Sequence, residues 1–146
     1  VELSCKTEYG ILALIELAAA YKQGEPLQIR QIAAMQNIPD RYLEQLLATL
    51  RRCGLIRSQR GARGGYLLIR EPWKITLAEV VDCLEGADAQ PTEDPDALSR
   101  SLESSVIREV WQEVHNTARA VLKRYTLQDL CDKRDARKQL DIMYYI

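Results

Sequence analysis

The feature that most constrains this chain is the stretch from Gln28 to Ile69. Within it Leu43, Leu46, Leu47 and Leu50 recur at i, i+3, i+4 and i+7, the spacing of one face of an α-helix. Arg41, Gln45, Ala48 and Arg52 recur on the opposite face. One stripe anchors such a helix and the other is left to meet a ligand. Pro39 suits the first helical position, where its missing N–H costs nothing, and Gly54 marks the far end. Gln28 to Gln36 reads as a shorter helix before it, with Ile29, Ile32 and Ala33 inward, and Asn37-Ile38-Pro39 as the turn between. Taken alone, the second helix is an ordinary amphipathic surface helix. The segment downstream of Gly54 changes that reading.

Leu55–Ser58 and Tyr66–Ile69 read as two strands. The connection between them, QRGARGG, has three glycines, which permit a tight turn and a close backbone approach to another surface. From Arg51 to Arg70 there are six arginines and no acidic residue. A solvated basic loop is the plainer reading of such a segment. Placed directly after a candidate recognition helix, it is better explained by contacts to phosphates and to a groove. The whole pattern predicts a winged helix-turn-helix, which lays one helix in the DNA major groove and a β-ribbon beside it.

The charge is divided in the same sense. Residues 1–70 carry a net +4 and residues 71–146 a net −5, giving −1 for the chain. A chain of 146 residues fits one domain, or a small domain plus an arm. The boundaries expected are a winged helix-turn-helix over 1–85, an acidic loop over 86–102, and a dimerisation helix with a C-terminal tail over 103–146. No apolar run is long enough to span a bilayer, and VELSCKTEYG has no signal-peptide core; a cytoplasmic location is expected. Cys5, Cys53, Cys83 and Cys131 are far apart in sequence, and they are read as reduced thiols.

Residues 5–21 read as a largely buried first helix, with Ile11, Leu12, Ile15, Leu17 and Ala18 apolar. Thr76 to Leu84 reads as a short helix opened by the capping-box pair Thr76 and Glu79 and ended by Gly86. Residues 86–99, with two prolines and four acids, favour a mobile loop. From Glu103 to Tyr125 a long helix carries Val106, Ile107, Val110, Trp111, Val114, Ala118, Val121, Leu122 and Tyr125 at steps of three and four. At 1.5 Å per residue it extends roughly 35 Å, more than the small reader covers. Val106, Val110, Trp111, Val114, Ala118, Val121, Leu122 and Tyr125 are therefore assigned to a homodimer interface. Folding back on its own domain is the competing reading. Thr126 to Leu140 reads as one more helix, and DIMYYI as an apolar tail, either a strand or a clamp on the partner subunit.

Three segments carry a resemblance: TEYGILALIELA, RYLEQLLATLRRCGLIRSQRGARGGYLL and ITLAEVVDCLEG. They resemble the Rrf-two family of bacterial winged helix-turn-helix regulators, relatives of the iron–sulfur assembly, nitric-oxide-sensing and cysteine-metabolism repressors. The resemblance covers the whole chain. It implies a mainly α fold with a small β-hairpin wing, a long dimerisation helix, and dimers on pseudo-palindromic operators. By position it implies recognition-helix contacts at Arg41, Tyr42, Glu44 and Gln45. It implies wing contacts at Arg60 and Arg63, with Gly64, Gly65 and Tyr66 shaping the turn, and it brings Gln28 and Arg30 near the phosphates. Arginine suits phosphate or guanine, glutamine suits adenine, and a carboxylate accepts from cytosine N4.

One departure matters. Cluster-binding members carry three cysteines in the loop before the long helix; here Ala87 to Ser104 has none. Cys83 stands alone just upstream. Glu8 matches a position where some relatives offer a carboxylate, but one hard oxygen without thiolates is a poor site for iron–sulfur chemistry. Glu8 is read as a solvated helix charge and His115 as structural. No cofactor and no metal are expected. Remaining signals are thiol oxidation, with Cys53 beside Arg51 and Arg52 the first candidate, or a regulatory protein docking on the acidic half.

The leading reading is a homodimeric, sequence-specific regulator of double-stranded DNA without a cluster. Alternatives are a cluster- or thiol-based redox sensor with unusual ligands, and a winged-helix module that binds protein or RNA. An enzyme is the weakest reading: there is one histidine, no glycine-rich phosphate loop opening a helix, and no paired nucleophile and base.

Overall fold

The computed structural model describes residues 2–86 and 101–144. Helix α1 spans Cys5–Ala19 and opens on Ser4, whose hydroxyl accepts the Thr7 N–H at 3.1 Å. A 3₁₀ turn at Tyr21–Gln23 leads to α2 (Ile29–Gln36), and α3 covers Asp40–Arg52. Strands β1 (Ile56–Gln59) and β2 (Gly65–Leu68) form an antiparallel hairpin. After a second 3₁₀ turn at Pro72–Lys74 come α4 (Leu77–Glu85), α5 (Leu102–Arg124) and α6 (Leu127–Tyr144). The fold is mainly helical with one two-stranded wing, as the periodicities predict.

The core forms where the leucine stripe of α3 meets α1. Leu43, Leu46, Leu47 and Leu50 are buried with Ala13, Leu14 and Leu17 of α1 and Ile32 of α2. Each leucine or isoleucine side chain withdrawn from water here contributes about 1.5–3 kcal/mol. Ile56 and Leu68, paired across the hairpin, close one side of this core; Ile75, Val80 and Leu84 close another. Gly10 lets α4 approach α1, since a Cβ there would run into the Leu84 side chain. Buried Thr7 donates to Glu85 Oε1 at 3.0 Å and ties the two helix ends together.

The capping box at Thr76 is formed in full: the Glu79 N–H donates to the Thr76 hydroxyl and the Thr76 N–H to the Glu79 carboxylate, each at 3.3 Å. The same device opens α6, with Thr126 and Asp129 exchanging bonds of 2.9 and 3.1 Å. The chain before α6 also pairs with the chain before α4. The Leu77 N–H donates to the Tyr125 carbonyl and the Leu127 N–H to the Ile75 carbonyl. As a result Leu127 and Cys131 enter the core beside α1.

Several boundaries differ from expectation. Pro39 caps α3 rather than starting it, because its ψ of 132° is extended. The first strand begins at Ile56, since the Leu55 N–H turns back to the Leu50 carbonyl at the end of α3. The second ends at Leu68, where the Ile69 N–H reaches the Leu55 carbonyl outside the ladder. The first helix stops at Ala19 rather than Tyr21. Asp141 to Tyr144, expected as a strand or clamp, continue α6 as helix. The expected mobile loop falls on 86–99; Gly86 closes α4 with its N–H on the Asp82 carbonyl at 2.8 Å, and the remainder lies outside the described residues.

The largest correction concerns the cysteines. Cys53 and Cys83, read as separate reduced thiols, are joined in a disulfide. They are 30 residues apart, but α4 packs on the end of α3 and brings their Cα atoms to 6.0 Å, within the range a disulfide spans. Cys5 and Cys131 remain free, the first exposed and the second buried. Burial pushes the Cys131 thiol above its ordinary pKa, which leaves it protonated and inert near neutrality.

Candidate nucleic-acid interface

The outward face of α3 follows from its inward one. With four leucines committed to the core, the helical period forces Arg41, Glu44, Gln45 and Arg52 to the surface, where all four are exposed. Asp40 in the first turn and Arg51 and Arg52 in the last complement the helix dipole. Tyr42 is only half-exposed. Its ring meets that of Tyr9 edge-on, 5.5 Å between centroids, so it steadies α3 against α1.

The hairpin is fixed to the chain ahead of α2 by two backbone bonds. The Tyr66 N–H donates to the Leu27 carbonyl at 2.8 Å and the Leu27 N–H to the Tyr66 carbonyl at 3.1 Å. Gly65 makes this contact workable. Its φ is +153°, and a Cβ would collide with the Leu27 carbonyl. Gly64 closes the tip, its N–H on the Gly61 carbonyl at 2.9 Å. Arg60 and Arg63 are thereby carried on the exposed tip while Tyr66 stays half-buried at its base.

Between α2, α3 and the hairpin lies an open cleft lined by Gln28, Arg30, Glu44, Ser58, Gln59 and Tyr66. Gly64 and Gly65 form part of its wall. Arg63 lines a second depression with Gln28, Gln31 and Gln59. At the start of α2 the Gln28 N–H donates to Gln31 Oε1 at 2.8 Å, and Arg30 Nε donates to Gln28 Oε1 at 3.0 Å. Arg30 is thus held at a helix N-terminus, where backbone N–H groups favour an anion. No ion pair among the described residues engages Arg41, Arg57, Arg60 or Arg63. The face therefore offers unneutralised guanidinium groups beside polar side chains suited to base edges.

Ser58 and Gln59 in the cleft were not singled out from the sequence, although β1 lies next to the arginines that were. Lys6 was missed as well. It lines a depression with Gln45, Thr49 and Arg52 on the outer side of α3. Its place there follows from the packing of α1 on α3, for which no local pattern gives notice.

The stripe assigned to dimerisation is exposed. No residue of α5 is buried, and Trp111 is 69% exposed. Val106, Val110, Val114 and Val121 are exposed as well, and Ala118, Leu122 and Tyr125 are half-exposed. Together they form one exposed apolar row along the helix. One side of α5 rests on α4, through Arg119 and Asp82.

The residues present do not fit a cysteine-ligated cluster. Cys53 and Cys83 are bonded to each other, Cys5 is at the exposed start of α1, and Cys131 is in the core. Glu8 is exposed, as is His115. Among the described residues no group of three or more His, Cys, Asp or Glu is placed to hold a metal ion. No helix among them is long and apolar enough to cross a membrane.

Residues 3–133 match the model of the Rrf2 family, described as an iron-dependent transcriptional regulator. The HTH-type transcriptional regulator CymR of Bacillus subtilis (strain 168) is 36% identical over 146 residues, covering 100% of both chains. Among solved structures, IscR of T. potens superposes with a TM-score of 0.76 at 35% identity, over 92% of this chain and 88% of that one. The structure of CymR, the global cysteine regulator of B. subtilis, superposes with a TM-score of 0.71 at 35% identity, over 91% of this chain and 98% of that one.

Proposed function

Because this chain belongs to the Rrf2 family of transcriptional regulators, we propose that it acts as a homodimer that reads a pseudo-palindromic operator in double-stranded DNA. The observation that carries this reading is the joint surface of α3 and the hairpin. It presents Arg41, Gln45, Arg60 and Arg63 outward, and no acid among the described residues neutralises these arginines. Helix α3 enters the major groove, where Gln45 and Glu44 meet base edges and Arg41 meets guanine or phosphate. Gln28 and Arg30 at the start of α2, and Arg60 and Arg63 on the wing, contact the backbone on either side.

Dimerisation is supported by the exposed stripe of α5. Two copies of the stripe bury each other's Trp111 and Val114 and set the distance between the two reading helices. The protein works in the cytoplasm and carries no cysteine-ligated iron–sulfur cluster. Support for the latter comes from the donor set, since the loop that holds three cysteines in cluster-binding members has none here. A regulatory protein docking on the acidic half of the chain is a compatible input.

A salt titration with fragments of the organism's own DNA and with structured RNA tests this reading. The expected result is sequence-dependent retention of duplex DNA that weakens steeply as salt rises. Equal affinity for structured RNA, or no affinity for either, overturns it.

A further inference from the structure

We infer that Cys53 and Cys83 form a reversible redox pair, a modification site that joins the reading helix to the helix beneath the dimer stripe. The inference rests on the DNA-reading function proposed above. Cys53 is the residue that closes α3, and it is exposed. Cys83 is half-buried in α4. In the bonded state their Cα atoms are 6.0 Å apart, inside the ordinary range for a disulfide.

The bonded structure already places an acceptor for a Cys83 thiol at this site. The Cys53 N–H donates to the Thr49 carbonyl at 3.1 Å, and Cys83 Sγ lies 3.7 Å from that same oxygen. In the dithiol the Cys83 S–H has this carbonyl as its acceptor, so opening the bond leaves no buried donor unpaired. Arg52 donates to the Thr49 hydroxyl at 3.2 Å and keeps a guanidinium in the turn that Cys53 closes. Arg51 lies in the same last turn of α3.

The chemistry balances with a peroxide as oxidant and a small or protein dithiol as reductant. The Cys53 thiolate attacks one oxygen of hydrogen peroxide. The O–O bond breaks, hydroxide leaves and takes up a proton as water, and Cys53 becomes a sulfenic acid. Cys83 then attacks the Cys53 sulfur, the S–O bond breaks, and a second water leaves. Two thiols have lost two electrons and two protons to one peroxide, giving one disulfide and two waters. A dithiol reverses this by exchange, returning both cysteines to thiols and leaving as its own disulfide. A DNA-reading protein works in a reducing compartment, where a disulfide is usually transient and serves catalysis or sensing rather than permanent structure.

The position of the pair gives the bond a consequence. Asp82, next to Cys83, is gripped by Arg119 of α5. The bond therefore extends a continuous path from α5 through α4 to the end of α3. Pinned at that end, α3 loses freedom relative to the dimer helix, and a reader fixed in advance binds with less ordering cost. The oxidised dimer binds its operator more tightly than the reduced one, by at least fivefold at fixed salt.

The test uses full-length wild type, Cys53→Ser, Cys83→Ser and the double variant. Each is reduced with dithiothreitol, then treated with one equivalent of hydrogen peroxide, and free thiols are counted by maleimide mass shift. Expected in wild type is the loss of two thiols, a peptide linking residues 53 and 83 of one chain, and recovery with dithiothreitol. Operator affinity is then expected to fall at least fivefold on reduction of wild type and to be insensitive to peroxide in the variants. Retention of four thiols, a bond to Cys5 or Cys131, or affinities within twofold when the 53–83 bond is shown to be present, each overturns the inference. Loss of specific DNA binding in every redox state of wild type, with the pair still cycling, faults the DNA-reading function instead and with it the regulatory role of the bond.

Discussion

Arg119 of α5 sets both terminal guanidinium nitrogens on the carboxylate of Asp82 in α4, one of them at 2.6 Å. This bidentate grip fixes the long helix to the body through a planar pair of charge-assisted bonds. The bond from Arg119 holds the Asp82 carboxyl below its ordinary range, outweighing a smaller desolvation effect in the other direction. A carboxyl with a lowered folded-state pKa adds stability above its unfolded value, about 3.9 for aspartate, and loses it as pH falls through the folded value. Asp82→Asn is therefore expected to lower the melting temperature modestly at pH 7 and to flatten its fall in acid. Thermal scans from pH 7 to pH 3 measure this; parallel curves for wild type and variant contradict it.

Arg63 is exposed on the wing with no ion pair among the described residues. Arg63→Ala is expected to weaken binding on all sequences alike and to reduce the slope of log affinity against log salt by about one. Arg60→Ala is expected to do the same. An unchanged slope means that the wing tip does not touch the phosphates.

Gln45 projects from α3 opposite the leucine stripe. Gln45→Ala is expected to cost roughly 1–3 kcal/mol at one base position and little at others. A selection from randomised duplexes reads this directly. The same preferred site for wild type and variant removes Gln45 from the base contacts; Glu44→Ala gives the parallel test for its neighbour.

Val114 lies in the exposed row of α5. A charge placed there cannot be buried without several kcal/mol of desolvation. Val114→Asp is expected to give monomers in sedimentation while leaving the helical content intact, and to weaken operator binding because the half-sites are no longer linked. A wild type that sediments as a monomer at micromolar concentration contradicts the dimer outright.

The elements built on local periodicity were legible in the sequence. The leucine stripe of α3, the Thr76–Glu79 cap and the length of α5 are properties of short windows, and each is formed as read. Contacts between distant segments were not legible. The pairing of Cys53 with Cys83 depends on how α4 lands on α3, and no spacing in either segment reports that. The return of α6 into the core depends on backbone bonds between Ile75–Leu77 and Tyr125–Leu127, which any residues of suitable shape make. At the candidate interface, Arg41, Gln45 and the wing arginines stood out because charge and period mark them. Lys6 and Gln59 did not, because only the packed fold brings them beside α3 and the cleft. Tyr42 shows the opposite case: its position suggested a surface role, and its ring against Tyr9 gives it a packing one as well.

Two copies of the surface formed by α3 and the wing, held together by α5, are proposed to read one operator. Footprinting on duplexes enriched by the protein from its own genome puts this to the test. The expected result is one protected site with two similar half-sites in inverted order, their centres separated by about one helical turn, roughly 34 Å, or a multiple of it. A protected site without two-fold symmetry, or uniform protection with no preferred sequence, contradicts it.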